Sequence, residues 1–530
     1  MAIQLGSFQI WLVAITLSMV VCTTGANGLS RSSFPPGFSF GTGNSATSSD
    51  GAAYEDGKGP SICDTFVRKF PEKVMDHSTG DVAADFYHRY KDDVQLLKEI
   101  GFDSFKFSIS WSRVLPKGKI SGGVNPLGVK FYNDLIDELL ANGIKPFVIL
   151  LYFDTPQALE DEYDGLLSPN IVKDFEDYAD FCFKTFGDRV QRWITVHDPT
   201  GFSYHGYSDG TFAPGRCSSF VSNCPTGNSA TEPYIAAHHL LLSHAAAVKL
   251  YRQKYQATQK GQIGITILSH WFLPKNNTLS DIEAVSRGLD YFFGWFGHPV
   301  VYGDYPKSIK SIVGNRLPKF TEAESKLLKG SFDFLGLNYF TTNYLQYVPL
   351  NTVNTSFNSD RQFAFSFDKN GVPIGTPTSM IWLYNYPKGF LNLLLYIKKN
   401  YKNPPIYISE NGMGDSGSWP IQQALNDTLR ITYHHDHLSY LLKAIKNGVN
   451  VRGYHTCDFC FQLEKSSIEG KGKRDFDICH TWHDTSDKGL QWDSRAHQKL
   501  MLLRWKGLEV IFRHLEKSPA WQMGGVQLAS

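Results

Sequence analysis

The stretch Pro404-Pro405-Ile406-Tyr407-Ile408-Ser409-Glu410-Asn411-Gly412 decides the fold. A short β-branched and aromatic run, opened by a proline pair and closed by an acid, an amide and a glycine, reads as a buried parallel strand. Glu410 then stands where the strand stops. In parallel α/β architectures chemistry sits at the carboxyl ends of strands, which makes Glu410 a candidate nucleophile or acid/base; a turn or helix cap is the structural alternative.

The same pattern of a strand ending in polar residues recurs along the chain. Strand-length runs are expected at 38–41, 104–110, 146–152, 193–197, 262–268, 332–339, 405–409 and 449–454. Amphipathic helical stretches lie between them, at 84–100, 130–141, 171–186, 232–254 and 387–401. Eight strand-then-helix units favour a single-domain (β/α)8 TIM barrel over an open doubly wound sheet. Residues 217–229 and 349–380 read as long loops over the barrel mouth. The strand ends carry Lys106, Tyr152-Phe153-Asp154, His197-Asp198-Pro199, Asn338-Tyr339-Phe340 and Glu410-Asn411. Two acids from non-adjacent strands, Asp198 and Glu410, are the minimum equipment for glycoside cleavage. Asp198 before Pro199 is equally a helix cap by its position.

Charge is balanced, 52 Lys and Arg against 51 Asp and Glu, which excludes a nucleic-acid or anionic-membrane partner as the main business. Residues 8–21 form an apolar run too short to span a bilayer, followed by small residues at Thr24-Gly25-Ala26. A signal peptide over 1–26 is expected, although its start carries no Lys or Arg. No later run is long enough to cross a membrane. The expected location is the secretory pathway, with an extracellular, apoplastic or vacuolar destination. Cys217 and Cys224, seven positions apart in a Gly/Ser/Pro-rich loop, suit a disulfide there. Sequons at Asn276, Asn354 and Asn426 fit the same setting. Cys457, Cys460, Cys479 and His483 superficially follow zinc-site spacing, but the first pair stands at the end of an expected barrel strand, and neither metal nor cofactor is assigned.

The motifs Phe34-Pro35-Pro36-Gly37-Phe38-Ser39-Phe40-Gly41-Thr42, Phe107-Ser108-Ile109-Ser110-Trp111-Ser112-Arg113, Asp154-Thr155-Pro156-Gln157-Ala158-Leu159, Ala213-Pro214-Gly215-Arg216-Cys217, Phe332-Asp333-Phe334-Leu335-Gly336-Leu337-Asn338-Tyr339 and Ile408-Ser409-Glu410-Asn411-Gly412 resemble the plant β-glucosidases of glycoside hydrolase family 1. The likeness covers residues 34–456, and the expected domains are the barrel over 27–456 and a divergent segment over 457–530 that closes it. The resemblance implies Glu410 as the nucleophile of a retaining mechanism. It implies Asp198 as acid/base, where the family has Glu in Thr-Phe-Asn-Glu-Pro and this chain has Thr195-Val196-His197-Asp198-Pro199. One missing methylene withdraws the carboxyl by roughly 1.5 Å from a pair that retaining chemistry holds about 5–5.5 Å apart.

By the same resemblance, Ser48, Tyr152, His197, Asn338, Tyr339, Trp382 and Glu464 are substrate-binding candidates. Lys106 and Phe340 form the surroundings of the nucleophile. Several differ from the family residue: Ser48 replaces Gln, Tyr152-Phe153 replaces His-Trp, His197 replaces the Asn that bonds the sugar 2-hydroxyl, Phe340 replaces Tyr and Lys106 replaces Arg. After Tyr454 only Glu464 corresponds, and the rest resembles a shifted reading frame or a retained intron. The expected function is β-glucosidase-like hydrolysis with reduced or absent activity on a small-molecule glycoside, an aryl or other specialised-metabolite β-glucoside. The alternatives are a glycoside- or phenolic-binding protein without turnover, and a hydrolase that opens hydroxyisourate.

Overall fold

The computed structural model describes residues 29–74, 77–416 and 427–457, together with the backbone of 463 and 464. Eight parallel strands close into a barrel: β1 (Ser39–Gly43), β2 (Ser104–Ser108), β3 (Lys145–Leu151), β4 (Arg192–His197), β5 (Gln262–Leu268), β6 (Phe334–Asn338), β7 (Ile406–Glu410) and β8 (Val451–Thr456). Each strand pairs with its neighbour in sequence, Gly41 of β1 lying opposite Ser104 of β2, and the seam closes through Ser39 of β1 opposite Gly453 of β8. All eight expected strands are present. Their near-continuous apolar character follows from burial on both faces, by side chains within and helices without.

Inside the barrel Phe147, Phe334 and Tyr407 pack ring on ring at 5.2–5.5 Å, with His455 against Phe147. This aromatic plug fills the floor and leaves the upper layer to polar groups. Two interruptions of strand register then set the site. Opposite β6, the pairing of β7 shifts between Ile408 and Glu410, which brings Glu410 level with Asn338. Opposite β5, the pairing of β4 shifts between Ile194 and His197. Plain alternation sends Glu410 outward with Ile406 and Ile408, which pack against the helices; one extra residue turns it into the mouth.

The expected helices are found as Phe86–Ile100, Pro126–Ala141, Asn170–Phe186, Glu232–Lys254 and Pro387–Asn400. The second begins four residues earlier than hydrophobic spacing suggested, because Asn125 caps it through Leu127 N–H and Pro126 occupies its first turn. The 349–380 insertion is more ordered than a loop. Its strand Phe363–Ser366 pairs with Thr342–Tyr347, which pairs with Trp271–Pro274, so a three-stranded sheet flanks β5 and β6. Cys217 and Cys224 are bridged, with Cα atoms 5.5 Å apart. Asn276 and Asn354 lie on exposed loops.

Residues 1–26, Asn426, Cys460, Cys479, His483 and most of 457–530 lie outside the described residues. Among the described residues no helix is long and apolar enough to cross a membrane, and no His/Cys/Asp/Glu group of three or more suits a metal ion.

Candidate active site

Glu410 ends β7 almost wholly buried and receives four donors. Oε1 accepts from Lys106 Nζ at 2.7 Å and from Tyr152 OH at 3.0 Å, and lies 3.0 Å from His197 Nε2. Oε2 accepts from Asn338 Nδ2 at 3.1 Å. Each donor comes from a different strand: Lys106 from the middle of β2, Tyr152 from just past β3, His197 from the end of β4 and Asn338 from the end of β6. Burial works to raise the Glu410 carboxyl, but the Lys106 charge and the His197 contact hold it far below the usual carboxylate range. The nucleophile candidate is therefore ionised throughout the neutral and mildly acidic range.

Burial, reinforced by the Lys106 charge, lowers His197 to about 4, so its ring is neutral near pH 7. Its Nε2 also lies 3.0 Å from Asn338 Nδ2. The carboxylate is the stronger acceptor, which assigns the proton to Nε2 and leaves Nδ1 as a buried acceptor, without a hydrogen-bond partner among the described residues.

Asp198 follows β4 in a left-handed backbone conformation, φ 48° and ψ 58°, and its Oδ1 accepts from Gly201 N–H at 3.0 Å. It is thus the cap of the helix Pro199–Tyr207, the alternative that Pro199 raised. It is also 3% exposed, and burial raises its carboxyl to about 7; the Gly201 bond opposes that rise and the Glu410 charge adds to it. The two acids are pushed apart, one held ionised and the other held protonated until near neutrality. That division is what acid/base assignment at a glycosidic bond requires.

The other candidates divide. Phe340 is half-buried and meets Trp382 edge-on at 6.1 Å, while Trp382 stacks on His270 at 6.1 Å, forming an aromatic wall beside the mouth. Tyr339 is not brought to the site: it is fully buried, its hydroxyl bonds Thr342 Oγ1 and Tyr386 O, and its ring stacks on Phe390. Ser48 serves the short helix Ala46–Ser49, its hydroxyl 2.7 Å from Ser45 Oγ in a capping box. Glu464 lies in a two-residue strand paired with Asp415–Ser416.

Sequence reasoning missed the support behind Asn411. Its amide donates to Tyr339 O at 2.7 Å and Tyr433 OH at 3.0 Å, and it accepts from Tyr454 OH, which His434 backs at 2.8 Å. These partners come from the residue after β6, from the helix Thr428–Lys446 and from β8, and no local spacing marks them.

Residues 30–486 match the family model for glycosyl hydrolase family 1, past Thr456 and through Glu464. Over 434 residues the chain is 56% identical to β-glucosidase 17 of Arabidopsis thaliana, covering 81% of this chain and 84% of that protein. It is 53% identical over 471 residues to the furostanol glycoside 26-O-β-glucosidase of Hellenia speciosa, covering 88% and 83%. The crystal structure of a rice β-glucosidase superposes with a TM-score of 0.79 at 48% identity, over 81% of this chain and 91% of that one. A closed barrel with its acids at the strand ends and a match of this length agree: the chain belongs to glycosyl hydrolase family 1.

Proposed function

We propose that the protein is a retaining β-glucosidase-type hydrolase in which Glu410 attacks the anomeric carbon and Asp198 is the acid/base. The observation that carries this reading is the opposed ionisation of the pair, Glu410 far below and Asp198 well above the ordinary carboxyl range. In the first step Glu410 forms a bond to C1 while the bond to the aglycone oxygen breaks, and Asp198 gives that oxygen its proton. In the second, ionised Asp198 takes a proton from water as the water oxygen bonds C1, and the bond to Glu410 breaks. The missing methylene of Asp198 and its commitment to Gly201 N–H weaken both proton transfers. Substrates whose leaving groups need little protonation are therefore favoured: aryl glucosides and other specialised-metabolite glucosides with acidic aglycone hydroxyls. A relative acting on a furostanol glycoside supports a small-molecule aglycone. The Cys217–Cys224 bridge and the exposed sequons support residence in the secretory pathway.

An activated 2-fluoro aryl glucoside tests the assignment by trapping the covalent intermediate. The expected product is a modified peptide spanning 406–412, with slow turnover of the plain aryl glucoside. Turnover with the label elsewhere overturns Glu410 as nucleophile. Tight binding with neither label nor turnover replaces hydrolysis by the binding-protein reading.

A further inference from the structure

The donors around Glu410 divide unevenly between its two oxygens. Among the described residues Lys106, Tyr152 and His197 all lie within 3.0 Å of Oε1, whereas Asn338 alone bonds Oε2. A carboxylate oxygen has two in-plane lone pairs, so Oε1 is saturated and Oε2 retains one. The aromatic rings of Tyr152 and His197 also pack against each other, centroids 4.2 Å apart. Lys106 supplies charge, but an ammonium on a flexible stem is a point charge with rotatable donors and does not by itself fix an orientation. Two packed rings, each presenting one donor, do.

We infer that Tyr152, braced by His197, is a positioning residue for Glu410: it ties down Oε1, stops the carboxylate from rotating, and leaves Oε2 as the oxygen that attacks C1. This rests on Glu410 being the nucleophile. It also changes what Tyr152 is for. The sequence placed this residue among the sugar ligands, yet its hydroxyl is already spent on the nucleophile. Holding reacting atoms in an attack geometry is a large part of what a preorganised site contributes, and a phenol at 3.0 Å is placed to do so.

Tyr152→Phe removes the hydroxyl and keeps the ring that packs on His197, so the fold is retained; thermal unfolding checks this. The measurement is inactivation by the 2-fluoro aryl glucoside as a function of its concentration and of pH. The expected result is a fall in the maximal inactivation rate of about tenfold to a hundredfold, the usual weight of a hydrogen bond to a charged group, at unchanged inactivator affinity. Because Glu410 is held far below the ordinary carboxyl range, the profile above pH 4 keeps its shape and only its height falls. A weakened affinity at unchanged rate makes Tyr152 a sugar ligand and overturns the inference, as does an unaltered rate. The two levels separate cleanly: if the unmodified protein labels no peptide containing Glu410, the nucleophile reading falls. If it labels that peptide and Tyr152→Phe behaves identically, only the positioning role falls.

Discussion

On the proposed assignment Asp198 both caps a helix and serves as the acid/base, and the two roles can be separated by substitution. Asparagine caps helices about as well as aspartate and tolerates the left-handed backbone, so Asp198→Asn leaves thermal stability within a degree or so. The same change removes the acid and lowers kcat/KM on alkyl glucosides by about a hundredfold to ten-thousandfold, and by much less on nitrophenyl glucosides. Asp198→Ala shows the same kinetic loss and in addition costs about 1 kcal/mol of stability, because Gly201 N–H loses its acceptor. Asp198→Glu lengthens the reach and raises activity on alkyl glucosides. Adding His197→Asn brings back the family residue but takes a donor from Glu410 Oε1, so the double variant gains less than the sum of the two changes. Protonation of Asp198 to about pH 7 places the alkaline limb of kcat/KM near 7. Equal losses on alkyl and aryl substrates in Asp198→Asn count against the acid role.

At the scale of the element, the strand ends matter through their register. β1 approaches β2 so closely at the mouth that a Cβ on Gly43 lies 2.5 Å from Lys106 O and 2.7 Å from Lys106 Cβ. Gly43→Ala therefore pushes directly on the strand position that charges Glu410. It is expected to cost about 1–3 kcal/mol in urea unfolding and, because Lys106 moves, to slow the labelling of Glu410 by the 2-fluoro aryl glucoside. Lost stability with an unchanged labelling rate separates β1 packing from the site. The eight strands were legible because parallel barrel strands are buried on both faces and stand out as apolar runs between helices. Glu410 and Asp198 were legible because they stand where those runs stop, and Lys106 because it is a charge inside such a run. Other features were not. The register shifts at Ile408/Glu410 and Ile194/His197 leave no periodicity to read, and they decide which side chains converge. Tyr339 reads as a mouth residue until its hydroxyl is found on Tyr386 O in the core, and Tyr152 reads as a sugar ligand until its hydroxyl is found on Glu410. The sheet around Trp271–Pro274 escaped because its strands are short and pair across long stretches of chain.

Across the whole molecule, buried titratable groups of two kinds pull stability in opposite directions. Burial lowers His197 and His270 to about 4 and His244, His437 and His455 to about 3, against an ordinary 6.5. A depressed histidine contributes stability above 6.5 that is lost as pH falls toward its folded value, since the unfolded chain takes up the proton first. Burial raises Asp50 to about 6 and Asp154, Glu160 and Asp198 to about 7, against ordinary values of 3.8 for Asp and 4.5 for Glu. A raised carboxyl contributes stability present below its unfolded value and lost as pH rises toward the folded one. Between about 4 and 6.5 the histidine and carboxyl slopes oppose each other, and the melting temperature is expected to vary little. Below about 4 the raised carboxyls are protonated in both states and no longer compensate. The histidines lowered to about 3 continue to lose stability there, joined by Glu410, whose depressed carboxyl loses its contribution as pH falls. Calorimetric scans from pH 7.5 to 3 are expected to show a broad plateau and then a steep descent beginning near 4. A fall of many degrees between pH 7 and 5 means that the carboxyls are not held protonated in the folded state, which also removes the basis for Asp198 as a neutral-pH acid. Replacing His244 by Gln, whose amide does not titrate, is then the discriminating step: it moves the descent to lower pH if buried histidines drive it, and leaves it in place if they do not.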